Sequence, residues 1–266
     1  MKKLIALLLV LVMVMSMAAC GVKKNDNDGT KATDNAKPEE TKAEENKPTV
    51  TGMTYAEYVE AEMDADVTVV TYVQATQSWW DNKISVYCQS EDGAYFAYNM
   101  TCTQEDAAKL VPGTQIKITG SKGDFSGEIE IVDGTFEFVE GGNTYIADVM
   151  DATALLGTDD LIKNQNKKVA FKDMTIVASK DKNGKESAFL YSWDGSGSAD
   201  SDSDLYFSAS VGDKTYSFCV EYYLCGPDSD AYKAVQALKI GDKVDMEGFL
   251  YWYEGPQPHI TAVTVK

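Results

Sequence analysis

The sequence contains no arginine, and its 24 lysines are outnumbered by 42 aspartates and glutamates, for a formal net charge of −18. Nucleic-acid binders usually show the opposite balance, because phosphate contacts rely on Lys and Arg. Nucleic acid is therefore placed low among partner classes, although a local basic groove stays open. Histidine is nearly absent too. His259, beside Pro256 and Pro258, is the single one, so any Ser-His-Asp or Cys-His arrangement would have to use it. No serine or cysteine sits in a recognisable nucleophile elbow. Cys and His at zinc-site spacings are missing, and "DGSGS" lacks the following Lys-Ser/Thr and the helix that would hold a phosphate. These absences set enzymes and cofactors aside and leave His259 as a polar loop or strand-end residue.

What is present begins at the N-terminus. Lys2 and Lys3 precede an apolar run from Leu4 to Met15, and Met17-Ala18-Ala19 lead to Cys20, the pattern of an export signal. The run is too short to read as a stable spanning helix. Its last four residues resemble the lipobox of bacterial lipoproteins, which implies that Cys20 is diacylated and becomes the mature N-terminus. The chain is then expected on the outer face of the cytoplasmic membrane, and Gly21 after Cys20 gives no retention signal. Residues 21–52 are Lys, Asn, Asp, Glu, Thr, Ala and Pro with almost no large apolar side chain. Such a segment buries too little surface to offset its ordering entropy, so a disordered tether is expected.

Four further cysteines, Cys88, Cys102, Cys219 and Cys225, are expected as free thiols. Cys88 shares strand parity with Ile84 and Val86. Cys219 and Cys225 read as one continuous strand whose six residues span roughly 20 Å, far beyond disulfide reach.

A repeat organises the rest. "LVPGTQIKITG" (110–120) and "LKIGDKVDMEG" (238–248) share the pattern L-x-x-G-x-x-[IV]-x-[IM]-x-G. Upstream of the first copy, Thr54 and Glu57 mark a capped amphipathic helix. Val67, Val69, Thr71 and Val73 alternate as a strand, two more strands run over 83–89 and 94–102, and Thr103 opens a short helix. Downstream, Ile129 and Ile131 alternate against Glu128 and Glu130. Three strands, a helix and two strands is the order of an OB-fold, a five-stranded Greek-key barrel. The second half repeats it, with a first strand over 169–178, strand material over 185–193 and 205–211, a strand over 215–224, and a helix over 230–237. The chain is thus expected to be mainly β, with two OB-fold-like barrels in tandem. Their boundaries are 53–140 and 166–266, joined by a helical connector over 141–165 in which Thr158 caps Leu161 and Ile162. An α/β fold would need longer helices, and an immunoglobulin-like sandwich would not naturally place a helix before each repeat.

The combination "YVQATQSWW", "DGAYFAYNM", "LVPGTQIKITG" and "GEIEIVDGTFE", followed by "LIKNQNKKVAFKDMTIVAS", resembles the tandem OB-fold lipoproteins of anaerobic Gram-positive bacteria. The resemblance covers most of Tyr55 to Lys266, and it implies a fold and an envelope location, not an activity.

OB-folds bind ligands on the face of strands two and three and between the loops after strands one and four. Those loops carry Trp79, Trp80, Phe125, Tyr251, Trp252 and Tyr253, rings that can stack on bases or sugars. With few lysines nearby, such as Lys83 and Lys122, and an excess of Asp, Asn and Gln, the expected ligand is an extracellular glycan or an envelope partner. Nucleic acid is the alternative, and a spacer subunit is a third. The same rings would equally serve to plug barrel ends or pack the barrels together. Asp194, Asp200, Asp202 and Asp204 alternate with serines as a weak calcium candidate, but the EF-hand Gly and closing Glu are missing. A solvated loop is the plainer reading of that stretch.

Overall fold

Thr54 starts the first helix, α1 (Tyr55–Glu60), by accepting the Glu57 amide on its hydroxyl while the Glu57 carboxylate takes the Thr54 amide at 2.7 Å. This reciprocal cap satisfies two donors that a helix start leaves free. The computed structural model describes residues 51–266, so Cys20, the export signal and all but the last two tether residues lie outside the described residues.

Apolar alternation then makes β1 (Asp66–Thr76), whose Val67, Val69 and Val73 point into the first core. It is followed by β2 (Lys83–Gln89), β3 (Ala94–Thr101), α2 (Gln104–Ala107), β4 (Gln115–Phe125) and β5 (Glu128–Phe138). The five strands close a barrel in the order β1-β2-β3-β5-β4. β3 and β5 are parallel, and the other neighbours are antiparallel.

After the two-residue β6 (Met150–Asp151), β7 (Lys168–Val177) opens the second barrel. A small hairpin of β8 (Ser179–Lys180) and β9 (Glu186–Ser187), then an edge strand β10 (Phe189–Tyr191), are inserted before β11 (Leu205–Val211). β12 (Lys214–Val220), α3 (Asp230–Ala237), β13 (Lys243–Phe249) and β14 (His259–Val265) complete it. β12 and β14 are parallel, and the β11–β7 pairing closes the ring. Both halves therefore have OB-fold topology.

The repeat is the same device in both barrels. Leu110 and Leu238 are buried, as are Ile116 with Ile118 and Val244 with Met246. The first glycine of each copy takes a positive φ, 91° at Gly113 and 99° at Gly241, which lets the chain turn from helix to strand. Each then bonds the first strand identically, Gly113 N–H to Val73 O and Gly241 N–H to Ile176 O, both at 2.8 Å. The second glycine, Gly120 or Gly248, sits where strand register slips against β5 or β14. A side chain there would strike the Val132 or the His259 carbonyl oxygen.

Three sequence expectations are corrected. The connector over 141–165 has two single 3-10 turns, Thr153–Leu155 and Ile162–Asn164, in place of a helix, because Gly157 takes a φ of 74° and breaks the run of leucines. β12 ends at Val220, so Cys225 is not on it: the Glu221 carboxylate accepts the Tyr223 and Leu224 amides at 3.0 and 2.7 Å and bends the chain into a turn. The thiols of Cys88, Cys102, Cys219 and Cys225 are nonetheless free and buried. Finally, the 185–193 stretch is not a long strand but β9 and β10 of the insertion.

The two barrels share one compact unit, sewn together by aromatic stacking. Tyr87 of β2 stacks on Phe249 of β13 at 4.4 Å and 10°, with Phe96 beside them. The Tyr87 hydroxyl lies 2.8 Å from His259 Nδ1.

Candidate binding cleft between the barrels

β2 and β3 present their outer faces to the second barrel, and this contact covers only part of them. Tyr87 and Phe96 are sealed against Phe249. Toward the other end of the two strands the face opens into a cleft of about 1030 Å³. Barrel one contributes Lys83 and Ser85 from β2, Tyr98 and Asn99 from β3, and Gln77, Ser78 and Trp80 from the β1–β2 loop. The opposing wall carries Glu221, Tyr223, Tyr206, Tyr251, Tyr253 and Gln257. This is the strand-two, strand-three face flanked by the first and fourth loops, where OB-folds take their ligands.

A bulge aims part of that face. Between Ile84↔Met100 and Val86↔Ala97 the β2–β3 register slips, leaving Tyr98 and Asn99 opposite Ser85. Asn99 has a φ of 49°, and its amide donates to Ser85 Oγ at 3.1 Å. Such bulges re-aim side chains next to sites.

The predicted aromatic residues divide. Trp80 is 73 % exposed and, with Phe125, Tyr251 and Tyr253, lines the cleft, Phe125 and Tyr253 lying 5.7 Å apart across the barrels. Trp79 instead packs on the first core and donates its indole N–H to Cys102 O at 2.8 Å. Trp252 packs on the second core, and its backbone amide donates to Glu128 Oε2 at 2.8 Å. Sequence reasoning missed Trp193, which is 76 % exposed on the inserted loop and also lines the cleft. Its signal was legible, since that loop follows the first strand of barrel two. Tyr98 was legible as well, as the outward neighbour of Phe96.

Of the two places expected for His259, a loop or a strand end, the structure gives the strand end. The residue is buried, begins β14 and stacks on Tyr251 at 4.2 Å. Burial pushes its pKa down to about 3, so it is neutral near pH 7. The aspartates proposed for calcium do not converge: among the described residues no three His, Cys, Asp or Glu side chains are grouped to hold a metal ion. Asp194 accepts the Ser196 amide at 2.9 Å and faces Lys182, whereas Asp204 accepts the Tyr222 amide at 2.8 Å. Asp202 and Asp204 line the cleft, with Asp194 and Asp200 outside it.

The cleft is acidic. Asp202, Asp204, Glu221 and Glu254 line it against Lys83 alone. Glu221 accepts Gln77 Nε2 of the other barrel at 3.0 Å. Burial pushes its pKa up to about 7 and raises that of Asp204.

Fold and cleft together define a tandem OB-fold protein in which the outer face of strands two and three of the first barrel opens into a cleft between the barrels. Comparison of the sequence with protein-family models and with curated proteins finds no match. Among solved structures, the Ifi202 HINa domain in complex with a 20-bp double-stranded DNA is similar at 10 % identity and a TM-score of 0.34, covering 77 % of this chain and 96 % of that one. The p204 HINb domain gives the same identity and TM-score over 74 % and 96 %. A replication protein A heterotrimer bound to single-stranded DNA follows at 10 % and 0.27, over 78 % and 51 %. These likenesses lie in architecture alone.

Proposed function

We propose that the chain is a non-enzymatic binding protein of the cell envelope that takes a glycan in the cleft between its barrels. The observation that carries this reading is the lining: the exposed faces of Trp80, Trp193, Tyr98 and Tyr223 beside Gln77, Asn99, Gln257 and four carboxylates, with one lysine. Ring faces offer apolar platforms for sugar rings, amides both donate to and accept from hydroxyls, and carboxylates accept from them. The export pattern and Cys20 support an envelope location, in which a lipid anchor and tether present the cleft outside the membrane.

A second reading, single-stranded nucleic acid, is favoured by the same stackable rings on the OB-fold ligand face. The acidic lining opposes it, since phosphates would meet carboxylates.

Tryptophan fluorescence of the full chain separates the two, titrated with an N-acetylglucosamine tetramer and with single-stranded DNA at about 50 and about 200 mM salt. Saturable tetramer binding with no salt dependence, weakened about five- to twentyfold by Trp80→Ala, is the expected result. DNA binding that collapses as salt rises would replace the glycan with nucleic acid.

A further inference from the structure

Four carboxylates line the cleft, and among the described residues none is paired with a lysine. Those with described partners are held by neutral donors. Glu221 accepts the Tyr223 and Leu224 amides and Gln77 Nε2, and Asp204 accepts the Tyr222 amide and, at 3.5 Å, the Tyr206 hydroxyl. These bonds fix both carboxylates in place without supplying a counter-charge. Partly buried carboxylates without a cation are costly in the empty protein. Around them stand the rings of Tyr206, Tyr223 and Tyr251, with Trp193 at the rim. Carboxylates combined with ring faces are the two features that recognise a cation, one through charge-assisted hydrogen bonds and the other through the ring quadrupole.

We infer that the glycan of this cleft is an amino-sugar polymer bearing free amines, with an ammonium group held by Glu221 and Asp204 against the tyrosine rings. The inference rests on the glycan reading and narrows it: a neutral glycan would satisfy that reading, whereas this lining selects a cationic one. It also accounts for Lys83 being the sole cationic side chain on the lining, at the barrel-one edge of the cleft.

The test compares three probes on the full chain by tryptophan fluorescence at pH 7: a β-1,4-linked glucosamine tetramer, its fully N-acetylated counterpart and tetralysine. The glucosamine tetramer is expected to bind about tenfold or more tighter than the acetylated one, the size of one cation–ring contact plus a charge-assisted bond. That preference should shrink as salt rises and vanish in Glu221→Gln. Should Glu221→Gln fail to fold, the native chain still decides through the salt dependence of the ratio and through Glu254→Gln, which removes a second charge from the lining. Equal binding of both sugars overturns the inference and leaves the glycan reading standing. Binding of neither overturns both. Tetralysine binding more tightly than either sugar overturns it in favour of a basic peptide.

Discussion

Glu128 is a buried carboxyl that joins the two barrels through the Trp252 amide. Its side chain has no exposure, its Oε2 holds the Trp252 amide, and its Oε1 is buried, as is the Oδ1 of Asn166. Burial pushes its pKa up to about 9, so the carboxyl is protonated near neutrality. A raised acid pKa in the folded state gives stability that is full below the unfolded value of about 4.3 and is lost as pH rises through the folded one. Glu130 and Glu221, each pushed up to about 7 by burial, act in the same sense over a narrower window. His259 acts oppositely: its stabilising contribution is present above about 6.5 and is lost as pH falls through about 3. Thermal stability is therefore expected to fall from pH 6.5 to 9. Glu128→Gln keeps an acceptor for Trp252 and cannot ionise, so it should flatten the pH 7 to 9 part of that fall. Melting curves of the two proteins that superimpose over that window would refute this. In sequence, Glu128 and Glu130 alternate as outward strand residues, and they are indeed outward. What alternation could not reveal is that a second barrel buries that outer face.

The repeat glycines are tested at the scale of the element, where the two positions of the motif predict unequal costs. At Gly241 a Cβ meets nothing within 4 Å, so Gly241→Ala suffers only from its φ of 99°. Non-glycine residues in such backbone regions cost about 1 kcal/mol or somewhat more. At Gly248 a Cβ would collide with the His259 carbonyl and crowd Ile260 Cα at 2.8 Å, both on the partner strand. Gly248→Ala should cost about 1 to 3 kcal/mol or more, as overpacked sites do, and exceed Gly241→Ala. Urea unfolding at unchanged slope reads both, and the reverse order would show that the bulge is not held by close approach. Elements with a local chemical cause were legible: the Thr54–Glu57 and Thr103–Asp106 caps, the β1 alternation and the paired motif all form as read. Elements ended by one nonlocal or conformational event were not. Glu221 terminates β12 with its own carboxylate, and Gly157, at positive φ, interrupts the connector.

At the scale of the molecule the sequence reads as two barrels joined by a connector, and the structure packs both barrels into one compact unit. The reason lies in Tyr87, Phe96 and Phe249, which look like ordinary strand aromatics but point away from their own barrels and toward each other. The same contact decides the cleft. By sealing one end of the β2–β3 face it leaves the other end, with Tyr98 and Asn99, open beside the loops of both barrels. Half of the site was therefore readable as loop aromatics, and Glu221, which the turn after β12 brings into the cleft opposite Gln77, was not. Phe249→Ala removes a fully packed ring from this interface and should destabilise the chain by about 3 to 5 kcal/mol. Because Tyr87 and Glu128 bind barrel one to the residues around Phe249, both barrels should still unfold in one transition, at lower urea. Circular dichroism and tryptophan fluorescence followed together check this. Coincident curves at a lower midpoint are expected. A variant that splits into two transitions would mean that each barrel is stable alone and that their union serves the cleft instead of the fold.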